Sequence, residues 1–398
     1  MKLTRRVVQL AFLVLTVAGV FVMQGHAERW CPFGGVEALY GYVERGELTC
    51  SLHISNFYIL GGVLLMAVLL RRAFCGWVCP VGTVSEWLYG FGPARWLSGR
   101  RWPIELPDRV DAALGLLKYP VLGVILYFTW RAGELIFRGF DPCYALISRH
   151  GTDITFWAYV VSGALVIGSL IVTVPFCRWL CPLAAVFAPF SRFGLARVRR
   201  DEAACSDCGA CRRACPMAIP VDGVGEVTAA RCTSCMECVT ACPTKINALS
   251  WGPPRWLGGR WPAPVLVPIV LACVAGAVAM TYALPLPSFV YSRGEAPAQT
   301  AVLTLDVRGV NCRHSTQRFF AFITSREDEY RIPGYLRLEA WPNPAASTVR
   351  ITYDPAVASE ETILDAITTP TFDQAGRSTP SPYRPVERAE ADSEEPDS

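Results

Sequence analysis

Five apolar runs divide the chain, at roughly 7–23, 55–70, 115–130, 155–175 and 264–284. A bilayer-crossing helix takes about 20 predominantly apolar residues. Each run therefore reads as a transmembrane helix, with Ser55 to Leu70 short enough to borrow flanking residues. The first run, about 17 residues behind Lys2, Arg5 and Arg6, exceeds the roughly 7–15 of a signal-peptide core. That favours an uncleaved anchor over two rivals, a signal peptide cleaved near Gly25-His26-Ala27 and a twin-arginine signal at Thr4-Arg5-Arg6. After the fifth run the period changes. Ala301 to Val310 alternates as a strand and Ser315 to Ser325 reads as a helix. Tyr335 to Ala340 and Thr348 to Tyr353 read as strands, and Glu360 to Thr368 as a second helix. That β-α-β-β-α order is α+β and ferredoxin-like. Beyond Gln374 the chain is rich in Pro, Ser and acidic residues, so 375–398 reads as a disordered acidic tail.

Composition agrees with a membrane class, at 52% hydrophobic and 18% charged residues. The formal charge of +3 is too small to argue for nucleic acid, and the only lysines are Lys2, Lys118 and Lys245. The arginines set an orientation. With the N-terminus inside, the inner loops collect Arg71, Arg72, Arg95, Arg100, Arg101 and Arg109, then Arg178, Arg192, Arg197, Arg199 and Arg200. The outer loops, 24–54 and 131–154, hold Arg29, Arg45, Arg131, Arg138 and Arg149. The expectation is a multi-pass protein of the bacterial cytoplasmic (inner) membrane, with residues 201–250 in the cytoplasm and the chain after Leu284 outside.

Seventeen cysteines change the picture. Eight fall into two frames of C-x2-C-x2-C-x3-C-P: Cys205, Cys208, Cys211, Cys215, Pro216, and Cys232, Cys235, Cys238, Cys242, Pro243. This is the spacing by which bacterial ferredoxins hold two [4Fe–4S] clusters, the fourth cysteine of each frame serving the other cluster. One cluster would take Cys205, Cys208, Cys211 and Cys242, and the other Cys232, Cys235, Cys238 and Cys215. A pair of zinc sites is the rival reading, since C-x2-C is also a zinc spacing. Zinc does not call for a third cysteine two residues on and a proline after the fourth, twice over. The fold expected is a mainly α-helical membrane protein of about five transmembrane helices. It carries an inserted bacterial 2×[4Fe–4S] ferredoxin domain and a C-terminal βαββα domain. The boundaries are a membrane domain at 1–200, the ferredoxin domain at 201–250, the fifth helix within 251–290, the exported domain at 300–372 and the tail at 375–398.

A second motif occurs twice at the inner ends of spans. Phe74-Cys75-Gly76-Trp77-Val78-Cys79-Pro80 and Phe176-Cys177-Arg178-Trp179-Leu180-Cys181-Pro182 both read F-C-x-W-[VL]-C-P. Either Cys75, Cys79, Cys177 and Cys181 are small apolar residues at helix ends, or they hold a further metal or cluster between the two loops. No histidine lies in a span, since His26, His53, His150 and His314 all fall outside or at the outer face, so a bis-histidine haem within the bilayer is excluded. At that outer face Cys31 and Cys50 could form a disulfide. Alternatively Cys31 and Cys143, with His53 or His150, could form a soft-metal or quinone site. Cys273, alone in the fifth span, reads as packing.

The twin ferredoxin frames, the paired C-x3-C-P motifs and Trp30-Cys31-Pro32-Phe33-Gly34-Gly35 resemble, over about residues 30–285, the bacterial polytopic membrane 4Fe-4S ferredoxins. These include the membrane polyferredoxin of nitrate reduction and the accessory cupric reductase of cbb-type oxidase. The resemblance implies electron passage between the cytoplasm or quinone pool and an acceptor outside, in some members for copper-enzyme maturation. Residues 300–372 resemble a heavy-metal-associated domain, with Tyr353-Asp354-Pro355 ending a strand. That family's loop reads G-M-x-C-x-x-C. Here Gly309 and Cys312 match, and Ser315 stands where the second cysteine belongs. Either His314 completes a weaker site with Cys312, or the domain serves docking.

The leading expectation is a membrane electron carrier whose partners are a redox protein or quinone inside and copper, a copper enzyme or a metallochaperone outside. If it turns over substrate itself, it would act as a quinol dehydrogenase component or a metal reductase. The alternative is a metal-handling assembly or redox-sensing protein with structural or regulatory clusters. The spans carry no evident cofactor ligands, so a transmembrane wire needs either a bound quinone or a cluster at the C-x3-C-P loops.

Overall fold

The computed structural model describes residues 1–22, 30–45, 54–91, 106–132, 155–243, 248–284, 286–310, 313–326, 334–341, 347–372 and 378–386. They fall into two compact units, Met1–Glu37 with Ser55–Ala283, and Ala38–Ile54 with Leu284–Ser398.

In the first unit every apolar run is helical: α1 (Lys2–Val22), α3 (Ser55–Leu70), α7 (Lys118–Ala132), α8 (Phe156–Ile171) and α12 (Leu266–Ala283). Between them lie α2 (Pro32–Arg45), which counts with this unit up to Glu37, the short α4 (Ala73–Trp77), α5 (Pro80–Phe91), α6 (Asp108–Leu114) and α9 (Pro182–Arg192). Among the described residues, three stretches are long and apolar enough to cross a membrane, Lys2–Phe21, Asp108–Arg131 and Ala263–Ala283. Ser55–Leu70 and Phe156–Ile171 are apolar but have only 16 residues each, about 24 Å at 1.5 Å per residue, against a hydrocarbon core of about 30 Å. Helix α3 is the central one. Ile59, Leu60, Val63, Met66, Ala67 and Leu70 are all buried, so its two-sided apolarity meets protein. Helices α1, α7 and α8 leave Val14, Phe21, Val124, Phe128 and Ile167 exposed, outer faces suited to lipid. Gly62 lets α3 and α12 close together, since a Cβ there would lie 2.5 Å from the Cβ of Ala277.

The ferredoxin stretch is closed by an antiparallel pair, β1 (Arg197–Arg200) with β2 (Leu249–Gly252), between which lie the short helices α10 (Ala210–Arg213) and α11 (Glu237–Ala241). The stretch packs directly on the helices. Met217, Ile219, Val221, Val227 and Met236 share one apolar core with Met66, Leu70, Trp77, Leu266 and Val270 of the helices. An insert this small gains a core only by burying its apolar side on a neighbour. Leu195 N–H and Ala196 N–H also donate to the carbonyls of Val68 and Leu69 at 2.9 Å, tying β1's approach to the end of α3.

The second unit holds β3 (Phe289–Arg293), β4 (Ala301–Arg308), α13 (Arg313–Ser325), β5 (Leu336–Trp341), β6 (Ser347–Tyr353), α14 (Glu360–Thr368), β7 (Thr371–Phe372), β8 (Ser378–Thr379) and β9 (Arg384–Val386). Five strands form one antiparallel sheet in the order β3-β5-β6-β4-β9. Burial alternates along β5 and β6, as period-2 side chains on a half-covered sheet require. Leu338, Val349 and Ile351 meet Phe319, Ile323, Ile363 and Ile367 of the two helices in the core. The disorder expected over 375–398 does not hold for 378–386. Strand β9 covers the edge of β4, and buried Tyr383 sets its ring 4.6 Å from that of Phe319 and 5.3 Å from that of Phe322. One buried aromatic and an open sheet edge outweigh the polar composition around them. Residues 387–398 lie outside the described residues.

Replacing Gly62 by Ala forces α3 and α12 apart and should destabilise the first unit by about 1–3 kcal/mol, the usual result of overpacking. Thermal unfolding of the detergent-purified protein would report it, and an unchanged midpoint would contradict the close approach.

Candidate metal centre

The two cysteine frames fold alike. Asp207 and Ser234 stand at φ 48° and 47°, and Gly209 and Met236 at φ 65° and 62°. Left-handed residues within a tight loop turn successive N–H groups inward and create an anion-holding concavity. The N–H of Ala210 accordingly reaches the sulfur of Cys208, and that of Glu237 the sulfur of Cys235. Ile219 N–H lies 3.5 Å from Cys215 Sγ.

The sulfurs gather around two cavities. One is lined by Cys205, Cys208, Cys211 and Cys242. The other is lined by Cys215, Cys232, Cys235 and Cys238. In each, the fourth cysteine comes from the opposite frame. Among the described residues no three His, Cys, Asp or Glu lie as a single metal ion would need them. Four thiols around a cavity with N–H groups aimed at sulfur fit a cluster instead. The two sites differ in exposure. Cys208 is exposed, and the N–H of Ala210 with the Ser206 hydroxyl holds its thiol below the usual value. Burial, reinforced by Cys235, pushes the Cys215 thiol up to about 12, so it would bind iron with release of its proton.

The C-x3-C-P loops are also alike. Cys79 N–H donates to Phe74 O at 2.9 Å and Cys181 N–H to Phe176 O at 2.8 Å. Each bond reaches five residues back, and Phe176–Leu180 is a π-turn, a form frequent at functional sites. Pro80 and Pro182 then open α5 and α9, where a missing N–H costs nothing. Both loops are fastened to the frame around the second cavity. Trp77 Nε1 donates to Ser234 O at 3.2 Å, and Ser234 Oγ to Leu70 O at 2.8 Å. Arg72 N–H donates to Cys232 O at 3.2 Å. Gly76 lets the loop pack tightly, since a Cβ there would lie 3.1 Å from Thr233 Cβ and would push it away by a few tenths of an ångström. In the other loop Trp179 Nε1 donates to Asp111 Oδ1 at 2.8 Å, and the same buried carboxylate pairs with Arg178 and with Arg231, which precedes Cys232. Arg5 completes the tie, donating to Gly76 O at 3.1 Å and pairing with Glu86 and Glu237.

Behind the loops opens an apolar chamber of about 520 Å³. Cys75, Cys79, Cys177 and Cys181 line it, with Phe74, Phe176, Ile59, Val63 and Val274 among the apolar walls. Cys31 and Cys273 line it too, and Cys273 also packs against the apolar core of the helices. Cys177 lies within electrostatic range of Cys75, Cys79 and Cys181. Cys50, Cys143, Cys312, His26, His53 and His150 lie outside the described residues, and His314 is exposed at the start of α13. Sequence reading missed Asp111, Arg72 and Arg231. The available signal was an acid close ahead of an apolar run, and arginines directly flanking the cysteine motifs.

The site defines a ferredoxin-type iron–sulfur protein with helices long and apolar enough to cross a membrane. Known proteins agree. A 4Fe-4S binding domain matches residues 52–105 and 154–200, which hold both C-x3-C-P loops, and a 4Fe-4S dicluster domain matches 197–243. The chain is 33% identical over 212 residues to the putative electron transport protein YccM of Escherichia coli, covering 51% of this chain and 57% of that protein. It is 29% identical over 194 residues to the methylamine utilization ferredoxin-type protein MauN of Methylobacillus flagellatus, covering 46% and 60%. With the ferredoxin-type protein NapH of Haemophilus influenzae it shares 28% over 225 residues, covering 54% and 74%. The chain thus spans less than two thirds of the first two of these relatives. No solved structure gives a significant match. Over this region the chain carries 4Fe-4S binding domains and is similar to ferredoxin-type proteins.

Replacing Asp111 by Ala leaves Arg178 and Arg231 without their shared carboxylate. Breaking a buried pair in this way costs about 3–5 kcal/mol, and the second loop should loosen from the frame beside Cys232. Limited proteolysis should then cut near Arg231 faster than in the wild type, and equal rates would contradict the hub.

Proposed function

We propose that the protein carries electrons between the cytoplasm or quinone pool and an acceptor on the outer side of the bacterial inner membrane. Cys205, Cys208, Cys211 and Cys242 would hold one [4Fe–4S] cluster, and Cys232, Cys235, Cys238 and Cys215 the other. Cys75, Cys79, Cys177 and Cys181 would hold a further cluster. Bound clusters of this kind supply one-electron transfer. The observation that carries the reading is the fastening of both C-x3-C-P loops to the frame around the second cavity, through Trp77–Ser234 and Trp179–Asp111–Arg231. It sets the four chamber thiols beside the buried ferredoxin site, while the site with exposed Cys208 faces a soluble partner. The C-x3-C-P set lies within a stretch matched by a 4Fe-4S binding domain, and its cysteines show no single-ion spacing. The apolar remainder of the chamber suits a quinone.

The arginine bias supports five spans with the ferredoxin stretch inside and the second unit outside. There the loop bearing Cys312 and His314, in a domain resembling heavy-metal-associated domains, would face copper, a copper enzyme or a metallochaperone. The ferredoxin clusters are electron carriers in this reading rather than regulatory centres.

An EPR redox titration of anaerobically purified protein tests the ligand sets. Replacing Cys242 by Ser should remove the signal of the exposed cluster and spare the one held by its own frame-mates Cys232, Cys235 and Cys238. Loss of the latter would refute the crossed assignment. The double replacement Cys75→Ala with Cys177→Ala should remove a third signal and leave the two ferredoxin signals. An unchanged spectrum would reduce the loops to a structural role.

A further inference from the structure

We propose that Arg72 is the charge partner of the centre held by the C-x3-C-P thiols and raises its reduction potential. The inference rests on the reading that Cys75, Cys79, Cys177 and Cys181 hold an iron–sulfur cluster. Helix α3 ends in two arginines that part company. Arg71 takes a left-handed conformation, φ 61°, that a bulky residue seldom adopts. It sends its guanidinium to the ferredoxin stretch, donating to Ala229 O at 2.7 Å. Arg72 turns the other way, within electrostatic range of Cys75, Cys181 and Cys177. It is 2% exposed, and its Nε and Nη1 find no hydrogen-bond partner among the described residues. A guanidinium buried with idle donors costs several kcal/mol unless an anion compensates it.

Other groups nearby carry the same sign, and the buried carboxylate in range of Lys118, Asp111, is already paired with Arg178 and Arg231. Helices α5 and α9 begin at Pro80 and Pro182, directly after Cys79 and Cys181, and place the positive ends of their dipoles there. Lys118, also buried, lies in range of Cys181 and Arg72. A neutral occupant such as a quinone leaves these charges unanswered, whereas a cluster bound through four thiolates is an anion. The repeated motif sharpens the point, because the position matching Arg72 in the second loop is Val174. The charge is therefore not a requirement of the loop's folding. Reduction adds one negative charge to such a centre, and a nearby cation stabilises that state more than the oxidised one. A cation held away from water acts at far greater strength than an exposed one.

The test uses full-length protein purified anaerobically as wild type, Arg72→Gln and Arg72→Lys. Iron and sulfide per chain are measured together with an EPR-monitored redox titration. Wild type should contain iron beyond that of two ferredoxin clusters, and a third titrating signal. In Arg72→Gln the ratio of reduced to oxidised third centre, read at the wild-type midpoint, should fall about tenfold, a shift of about 59 mV to lower potential for one electron. Arg72→Lys should stay near wild type, and the ferredoxin signals should not move. If Arg72→Gln leaves the third midpoint in place, or Arg72→Lys shifts as far as Arg72→Gln, the role of Arg72 is overturned while the third cluster stands. If Arg72→Gln fails to load, Arg72→Lys decides. Normal loading and midpoint uphold the charge, and loss in both overturns it. If the wild type holds iron for two clusters only, the cluster reading itself fails and this inference falls with it.

Discussion

The arrangement depends on one fastening, by which the residues that build the two C-x3-C-P loops also hold the second cysteine frame. Trp77 reaches Ser234, and Trp179 reaches Arg231 through the carboxylate of Asp111. An indole has an apolar ring that packs against the helices and a single N–H that must find an acceptor when buried. Both motif tryptophans meet that need across the seam between helices and ferredoxin stretch. Asp111 answers two guanidiniums and one indole in a buried position, where any of them alone would be costly. The seam is thus a polar network centred on the Asp111 carboxylate and set in a continuous apolar core, and it fixes the depth of the buried cysteine site relative to the chamber.

That constraint orders the centres. The cavity of Cys205, Cys208, Cys211 and Cys242 lies on the exposed side of the ferredoxin stretch, and the cavity of Cys215, Cys232, Cys235 and Cys238 on the side of the helices. Next in line stand the four chamber thiols. A row of this kind, open to water at one end and to an apolar chamber at the other, suits exchange between a soluble partner and the membrane. The names of its relatives, an electron transport protein and ferredoxin-type proteins, point the same way.

Much of this was legible in the chain, and the remainder was hidden for physical reasons. Period and length placed the helices at all five apolar runs, because an unbroken apolar run leaves the backbone few other solutions. The crossed grouping of eight cysteines followed from ligand spacing, since a cubane's corners dictate which loop can reach which sulfur. The seam was not legible. Asp111 lies 67 residues from Arg178 and 120 from Arg231, and no local pattern announces a partner at such distance. The chamber was half legible. The shared motif marked Cys75, Cys79, Cys177 and Cys181, but Cys273 joins them through the packing of α3 against α12, and Cys31 through the hydrogen bond from Asn56 of α3 to its carbonyl. Residues 378–386 went the other way, because composition spoke for disorder and Tyr383 found a core.

The account stands on passage of electrons from the ferredoxin stretch across the bilayer. The direct measurement reconstitutes the protein into sealed vesicles with ferricyanide, a membrane-impermeant acceptor, trapped inside, and supplies a reduced soluble ferredoxin outside. The account predicts that trapped ferricyanide is reduced only in vesicles bearing the protein, and slowly when Cys75 and Cys177 are both Ala. Clusters that take electrons from the donor while the trapped acceptor stays oxidised would contradict it.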